Sequence, residues 1–321
     1  MTPDISISIV TWNGKETVEK CLRSIFRTRP KIRFEVIVVD NASVDGTKEL
    51  ILQEFPDVLL IQNEENIGYG PAHNRAYRIS QGRHLLVLNN DITITEGALE
   101  GLVHYMDEHP NVGLVGGRLQ NPDGTFQSSA NRRFPTLLGV FLEQIFFLTS
   151  LRIFLIQKTF GARFSRLRWN LEMPQSVAWV GGACMLIRRE VMERVGLFDD
   201  HFFFYYEDSD LCLRIKKSGW DVVYDPRYCF VHEWGTTTRR HVGKFMMESR
   251  KSILYYFRKH NGMFGFLVAK YSLLTGLAWR CFLLSLMSIF RRKEEKRLRF
   301  FQEMILFFSK MGDPLGGLRR E

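Results

Sequence analysis

The chain has 321 residues, of which 45% are apolar and 13% aromatic, and a formal net charge of +9. That length suits one large domain or two modest ones, and the apolar share excludes wholesale disorder and collagen-like repetition. Five cysteines, Cys21, Cys184, Cys212, Cys229 and Cys281, include no C-x-x-C pair, which argues against a disulfide scaffold or zinc-thiolate centre and fits a reducing cytosol.

Asp4 comes early and no basic segment precedes an apolar run, so a secretion signal is not expected. The charge is uneven. Residues 1–238 hold 26 basic and 29 acidic side chains, net −3, whereas residues 239–321 hold 18 and 6, net +12. A basic tail of this kind meets nucleic acid or an anionic membrane surface.

The first hundred residues alternate two patterns. Residues 5–11 are rich in β-branched side chains and read as a buried strand, and 17–27 space Val18, Leu22, Ile25 and Phe26 along a helix face. A second strand over 34–39 ends at Asp40, followed by a helix over 46–55 and a third strand over 58–62. A helix over 71–80 precedes a fourth strand over 84–88, which runs into Asn89, Asn90 and Asp91. Such alternation predicts an α/β fold with a doubly wound, largely parallel sheet, whose ligands bind beyond the carboxyl ends of the strands. The polar clusters Thr11-Trp12-Asn13, Asp40-Asn41-Ala42-Ser43 and Asn89-Asn90-Asp91 lie at those ends.

Further on, Asn121-Pro122-Asp123-Gly124 signals a hairpin turn, 177–187 reads as a strand, 211–217 as a helix, and 220–224 and 228–232 as two short strands. Residues 134–157 are strongly apolar, with charge only at Glu143 and Arg152.

Five features carry candidate chemistry. Asp40 at a strand end would accept hydrogen bonds from a ribose or base, or cap the next helix. Asp91 at the rim would hold a divalent cation bridging phosphates, or sit in a turn. The loop Asn66-Ile67-Gly68-Tyr69-Gly70 lets backbone approach a ligand, or is an ordinary tight turn. Glu207-Asp208-Ser209-Asp210 places three carboxylates within four residues behind an aromatic run, which is costly unless they are solvated, metal-bound or catalytic. Helical spacing puts Glu207 and Asp210 on one face and Asp208 elsewhere. His232 ends another strand, where a structural role competes with metal ligation by partnership with Asp91 or Asp208. No G-x-G-x-x-G or P-loop is present.

Taken in order, 9–13, 38–47, 66–74, 88–91, Gly181-Gly182-Ala183, 196–199, 207–214 and His232-Glu233-Trp234-Gly235 resemble the inverting glycosyltransferases of family 2, and most of all their rhamnosyltransferase-like members. The resemblance implies a GT-A fold, a Rossmann-like mixed sheet flanked by helices, with 1–118 as the nucleotide-sugar half and 119–238 as the acceptor and catalytic half. It implies that Thr11, Asn13, Asp40, Asn41, Ser43, Asn66, Gly68, Asn74 and Asn90 line the nucleotide-donor pocket. Asp91 and His232 would hold Mg²⁺ or Mn²⁺. Asp208 would be the catalytic base with Glu207 its acidic neighbour. Gly181 and Gly182, with Trp179 and Asp210, would border the donor sugar or acceptor. One departure is Asn89, which stands where the family's fuller motif has an aspartate.

The resemblance implies transfer of L-rhamnose from dTDP-rhamnose to a lipid-linked saccharide in bacterial cell-surface polysaccharide synthesis. UDP-galactofuranose, UDP-glucose and UDP-N-acetylglucosamine remain as alternative donors, and a sugar-phosphate nucleotidyltransferase and an inactive membrane-docked scaffold as alternative classes. Residues 239–321 read as a helical, membrane-associating tail. Within 264–290 the only charges are Lys270 and Arg280, about 80° apart around a helix. That predicts a helix lying in the interface on the cytoplasmic face of the inner membrane, its basic side toward the headgroups. No nucleic-acid reader motif accompanies the charge, and whether the chain forms homo-oligomers stays open.

Overall fold

The computed structural model describes residues 2–28, 30–145, 173–233, 242–288 and 295–315. It divides into two compact units, one of residues 1–134 and 170–245 and the other of residues 135–169 and 246–321.

In the first unit, β1 (Ile5–Thr11), β2 (Phe34–Asp40), β3 (Leu59–Gln62) and β4 (His84–Asn89) are parallel neighbours in the order β3-β2-β1-β4. Beyond β4 the same sheet continues. Its further strands are β5 (Ile92–Ile94), β6 (Val112–Gln120), β7 (Phe126–Gln127), β9 (Gln175–Ser176), β11 (Cys184–Arg188) and β12 (Asp221–His232), while β8 (Ala130–Asn131) and β10 (Trp179–Val180) pair antiparallel in a separate two-stranded sheet. The order β4-β11-β6-β12-β5 completes the main path, with β11 antiparallel to both neighbours and β12 parallel to β6. This is the expected mixed GT-A sheet.

Alternation along the strands sorts two cores. Ile5, Ile7 and Ile9 of β1 and Val36 and Val38 of β2 meet Val18, Leu22 and Ile25 of α1 (Lys15–Thr28) on one face. Ile37 and Val39 meet Ala72 and Ala76 on the other face. Strands buried on both faces need the unbroken apolar runs seen in the sequence. The strand register pairs Thr11 with Asp40 and Val10 with Asn89, so the polar ends come level at one edge of the sheet.

Helices α2 (Thr47–Glu54), α3 (Tyr69–Ile79), α4 (Ala98–Glu108), α5 (Leu137–Ile145), α6 (Arg189–Val195) and α7 (Glu207–Lys217) follow in chain order, α5 belonging to the second unit. Two expectations change. The 177–187 strand is broken into β10 and β11, because residues 181–183 leave the ladder and Ala183 O instead accepts the Asn89 N–H at 3.0 Å. The 220–224 and 228–232 strands are one, with a register shift between Asp225 and Cys229. Pro226 interrupts the donors there and Arg227 folds back on Asp225 at 2.7 Å.

In the second unit, α8 (Val242–Ser288, its first residues in the first unit) is interrupted at Gly262, where φ is 67°. It is followed by α9 (Glu295–Lys310). Arg297 and Arg299 are exposed, but Lys270 and Arg280 do not present the outward basic side expected of them. Lys270 Nζ donates to the carbonyls of Ser309 and Met311 at 3.2 and 2.6 Å, capping the negative end of α9. Arg280 is buried. Arg258 forks onto Asp313 at 2.7 and 2.8 Å. The exposed side carries Phe264, Leu267, Tyr271, Trp279 and Phe282, with Phe264 72% and Tyr271 63% exposed. The α8 helix is long and apolar enough to cross a membrane by length and composition alone. The apolar stretch beyond Ile145 and the run Arg291-Arg292-Lys293 lie outside the described residues.

Candidate active site

A cavity of about 490 Å³ opens at the carboxyl ends of β1 and β4 in the first unit, a size suited to a nucleotide-scale ligand. Thr11, Asn41, Asn66, Gly68 and Asn90 line it, as do Asp91, His232, Gly181, Gly182, Glu207 and Asp208.

The strand-end side is built from short polar links. Asn90 Nδ2 donates to Thr11 Oγ1 at 3.0 Å, and Asn41 Nδ2 donates to Gly68 O at 3.0 Å. Gly68 has φ 99°, and a Cβ there would lie 2.6 Å from Phe203 O, so only glycine fits. The neighbouring Tyr69 N–H donates to that same carbonyl at 2.8 Å.

Asp40 is fully buried behind this wall rather than on it. Its Oδ1 accepts the Ser43 N–H and hydroxyl at 3.1 and 2.5 Å, while Oδ2 has no hydrogen-bond partner among the described residues. Burial pushes its pKa up against those two bonds. Asn13 and Ser43 clasp one another's loops, the Asn13 N–H donating to Ser43 Oγ at 2.8 Å and the Val44 N–H to Asn13 Oδ1 at 2.8 Å.

Three predicted site residues are turned elsewhere. Asn74 stitches α3 to the next loop, giving to Phe198 O at 2.8 Å and taking the Phe198 N–H at 3.0 Å. Trp179 Nε1 donates to Arg133 O at 3.1 Å. Asp210 is buried against Arg214 at 2.7 Å, and that guanidinium also holds the Val195 carbonyl at 2.6 Å. Two residues past Asp208, it lies about 200° further round the helix. Glu207 and Asp208, rather than Glu207 and Asp210, share the cavity because both begin α7. Tyr205 and Tyr206 turn the chain into that start with φ of 69° and 68°, a left-handed conformation that bulky residues rarely hold.

The two carboxylates differ. Asp208 Oδ2 accepts the Gly182 N–H at 3.1 Å, and Oδ1 accepts the Ser209 N–H at 2.6 Å. Burial raises its pKa and these bonds pull it back. Glu207 Oε2 has no hydrogen-bond partner among the described residues. Burial and the charge of Asp208 push Glu207 well above the usual carboxylate range. The pair's negative charge therefore resides on Asp208 and its proton on Glu207.

In the same cavity His232 Nε2 lies 3.1 Å from Asp91 Oδ1 and 3.4 Å from Asn89 Nδ2. Asn89 Oδ1 lies 2.9 Å from the Tyr69 hydroxyl, which also reaches Gly182 O at 2.8 Å, so this amide supports α3 in the place of a carboxylate ligand. Among the described residues no group of three or more His, Cys, Asp or Glu converges. One carboxylate oxygen and one imidazole nitrogen fit a divalent cation that takes its remaining ligands from phosphate oxygens and water. The cysteines are free, and burial raises the thiol pKa of Cys21, Cys184 and Cys212, which keeps them inert.

Sequence reasoning missed Gln127 and Lys244. Gln127 lines the cavity and meets His232 Nδ1 at 2.6 Å. Lys244 Nζ stands 4.9 and 5.1 Å from the ring centres of Trp12 and Phe203, both of which line the cavity. Nothing in the local sequence around either residue marks it.

A family model described as glycosyl transferase family 2 matches residues 6–196. An N-acetylglucosaminyl-diphospho-decaprenol L-rhamnosyltransferase of Mycobacterium tuberculosis is 27% identical over 94% of this chain and 99% of its own length. Among solved structures, a mannosyltransferase from Pyrobaculum calidifontis in complex with GDP-Man and Mn²⁺ superposes with a TM-score of 0.57 at 18% identity, covering 97% of this chain and 89% of that one. TarS of S. aureus in complex with UDP-GlcNAc does so with a TM-score of 0.51 at 16% identity, over 85% and 71%. Likeness at this identity speaks for the fold.

Proposed function

The chain belongs to glycosyl transferase family 2, and from that membership we propose that it transfers L-rhamnose from dTDP-rhamnose, with inversion, to a lipid-diphosphate-linked saccharide at the cytoplasmic face of the membrane. The observation that carries the chemistry is Asp208, half-buried and accepting the Gly182 and Ser209 N–H groups, opening into the cavity that Asp91 and His232 also line.

Asp208 takes the proton of the acceptor hydroxyl as that oxygen attacks the anomeric carbon. The bond from that carbon to the diphosphate oxygen breaks, and its electron pair leaves with the diphosphate. A single displacement needs one base and inverts the centre. Glu207, protonated beside Asp208, keeps a second negative charge away from the base. Asp91 and His232 would hold Mg²⁺ or Mn²⁺, which when bound neutralises charge growing on the leaving diphosphate. Among the described residues that line the cavity there are carboxylates and no lysine or arginine, Lys244 standing behind the Trp12 and Phe203 rings, so a cation has work to do there.

The donor and acceptor follow the mycobacterial relative, whose name specifies L-rhamnose and a diphospho-decaprenol carrier. Membrane docking rests on the tail. The aromatic side of α8, not the basic side, is exposed, so Phe264, Tyr271, Trp279 and Phe282 would enter the lipid interface.

The test is incubation of the purified chain with dTDP-rhamnose, Mn²⁺ and a polyprenyl-diphospho-N-acetylglucosamine, with products separated and the anomer assigned by NMR. Formation of the inverted rhamnosyl lipid supports the reading. Transfer from UDP-galactofuranose, UDP-glucose or UDP-N-acetylglucosamine alone would replace the donor, and transfer from none would overturn it.

A further inference from the structure

The turn Asn121-Pro122-Asp123-Gly124 has so far served only to join β6 to β7. Its side chains form a chain of hydrogen bonds that ends on His232. Asp123 begins it. Its carboxyl is fully exposed, and the Thr125 hydroxyl and N–H hold its pKa below the usual value, so it only accepts. The Thr125 hydroxyl at 2.6 Å must therefore point its proton at Asp123. Thr125 Oγ1 then presents a lone pair to Asn121 Nδ2 at 2.9 Å. That orients the Asn121 amide, leaving its Oδ1 to accept Gln127 Nε2 at 3.4 Å. The Gln127 amide is thereby oriented too, and its Oε1 faces His232 Nδ1 at 2.6 Å. An acceptor at that distance requires a proton on Nδ1.

We propose that this relay, with Gln127 as the positioning residue, fixes His232 as the Nδ1–H tautomer and aims the Nε2 lone pair at Asp91. With Nε2 an acceptor, two acceptors face each other at 3.1 Å, an arrangement that a cation between them stabilises. The opposite tautomer would reverse every donor along the line and set a Thr125 lone pair against the Asp123 carboxylate at 2.6 Å. The backbone supports the arrangement. The Asn121 N–H gives to Thr125 O at 2.9 Å and the Gly124 N–H to Asn121 O at 2.8 Å, so the turn is built before it meets the histidine. Histidines that bind metals are held this way by a partner on the far nitrogen, whose loss costs about 10–100-fold in metal affinity.

The tautomer claim stands on its own, and its consequence for metal rests on the cation reading above. Two-bond ¹H–¹⁵N spectra of the metal-free, histidine-labelled full chain at neutral pH, with His232 assigned through His232→Gln, should show His232 protonated on Nδ1. An Nε2–H pattern, or a doubly protonated ring with its Nε2–H on Asp91, would overturn the proposal. Titration of Mn²⁺ in the presence of dTDP should then show about a tenfold or greater loss of affinity in Gln127→Leu and recovery in Gln127→Glu, whose carboxylate accepts the same proton. If the wild type binds Mn²⁺ and Gln127→Leu binds it equally well, the positioning role is wrong. If the wild type binds none while the tautomer is as stated, the cation reading fails and the relay survives. Circular dichroism of each variant checks that the fold is retained.

Discussion

The two units bury charge to opposite ends. In the first, Glu207 is buried and Asp208 half-buried, with backbone N–H groups on Asp208 and no Lys or Arg bonded to either among the described residues, which sets the proposed base beside a protonated neighbour. In the second, Lys270, Arg258 and Arg280 are turned inward onto carbonyls, Asp313 or the packed interior, and the outward face of α8 is aromatic. The net charge of a segment therefore says little about what the segment shows to its partner. The −3 part builds the cavity proposed for a diphosphate, and the +12 part uses some of its cations as internal fasteners.

The largest way to break this contrast is Asp208→Asn. We expect turnover to fall on the order of 10³-fold while donor binding, read by calorimetry, stays unchanged. Near-normal turnover would remove the base from the argument. Next comes the aromatic face. Phe264→Ser, Tyr271→Ser and Phe282→Ser together should lower partition onto anionic vesicles on the order of 100-fold, measured by co-sedimentation, with little change in Tm. Lys270→Met should do the reverse, lowering Tm and leaving vesicle binding intact. Equal effects of the two on vesicle binding would return the basic side to the membrane.

A smaller effect lies beneath the cavity. His73 is fully buried, with Nδ1 2.7 Å from Ser8 Oγ, and burial lowers its pKa from 6.5 to about 3. The folded chain leaves it neutral while the unfolded chain protonates it, so its contribution is complete above pH 6.5 and is lost as pH falls toward 3. The slope is about 1.4 kcal/mol per pH unit at most, and urea midpoints at several pH values should show it flatten in His73→Leu. The smallest change is expected from Glu207→Gln. This amide mimics a side chain already protonated, so turnover should fall only a few-fold. The acid limb of kcat/KM should rise as pH climbs through a value above the usual 3.8 of an aspartate, because burial raises the folded pKa of Asp208.

Strands β1 to β4 and helices α1 to α3 were legible because buried apolar runs stop at polar clusters, and those clusters mark the cavity edge. Strand β6, further along, was not. β6 contains Gly113, Gly116 and Gly117, which depress any strand signal, and the reason lies across the sheet. A Cβ on Gly116 would stand 2.2 Å from Val180, and one on Gly117 2.4 Å from Phe230.

Of the site, Asp91, Asp208 and Gly181 were readable as residues at the ends or starts of elements. Asp210, Asn74 and Trp179 belong to the same motifs but face away, and motif spacing does not carry that angle. Gln127 depends on a contact 105 residues distant and has no local mark at all.

The close approach at Gly68 has a wider consequence. The loop that borders the strand-end pocket and the loop that leads to Glu207 and Asp208 meet backbone to backbone, with the Tyr69 N–H on Phe203 O and no room for a side chain between them. Nothing can be inserted there to let the two loops shift independently. A substitution in residues 66–69 that moves this backbone therefore also moves the loop that leads to Glu207 and to Asp208, the proposed base. In this scaffold, new donor preference and retained turnover should appear as paired changes, one in each loop, rather than as single replacements.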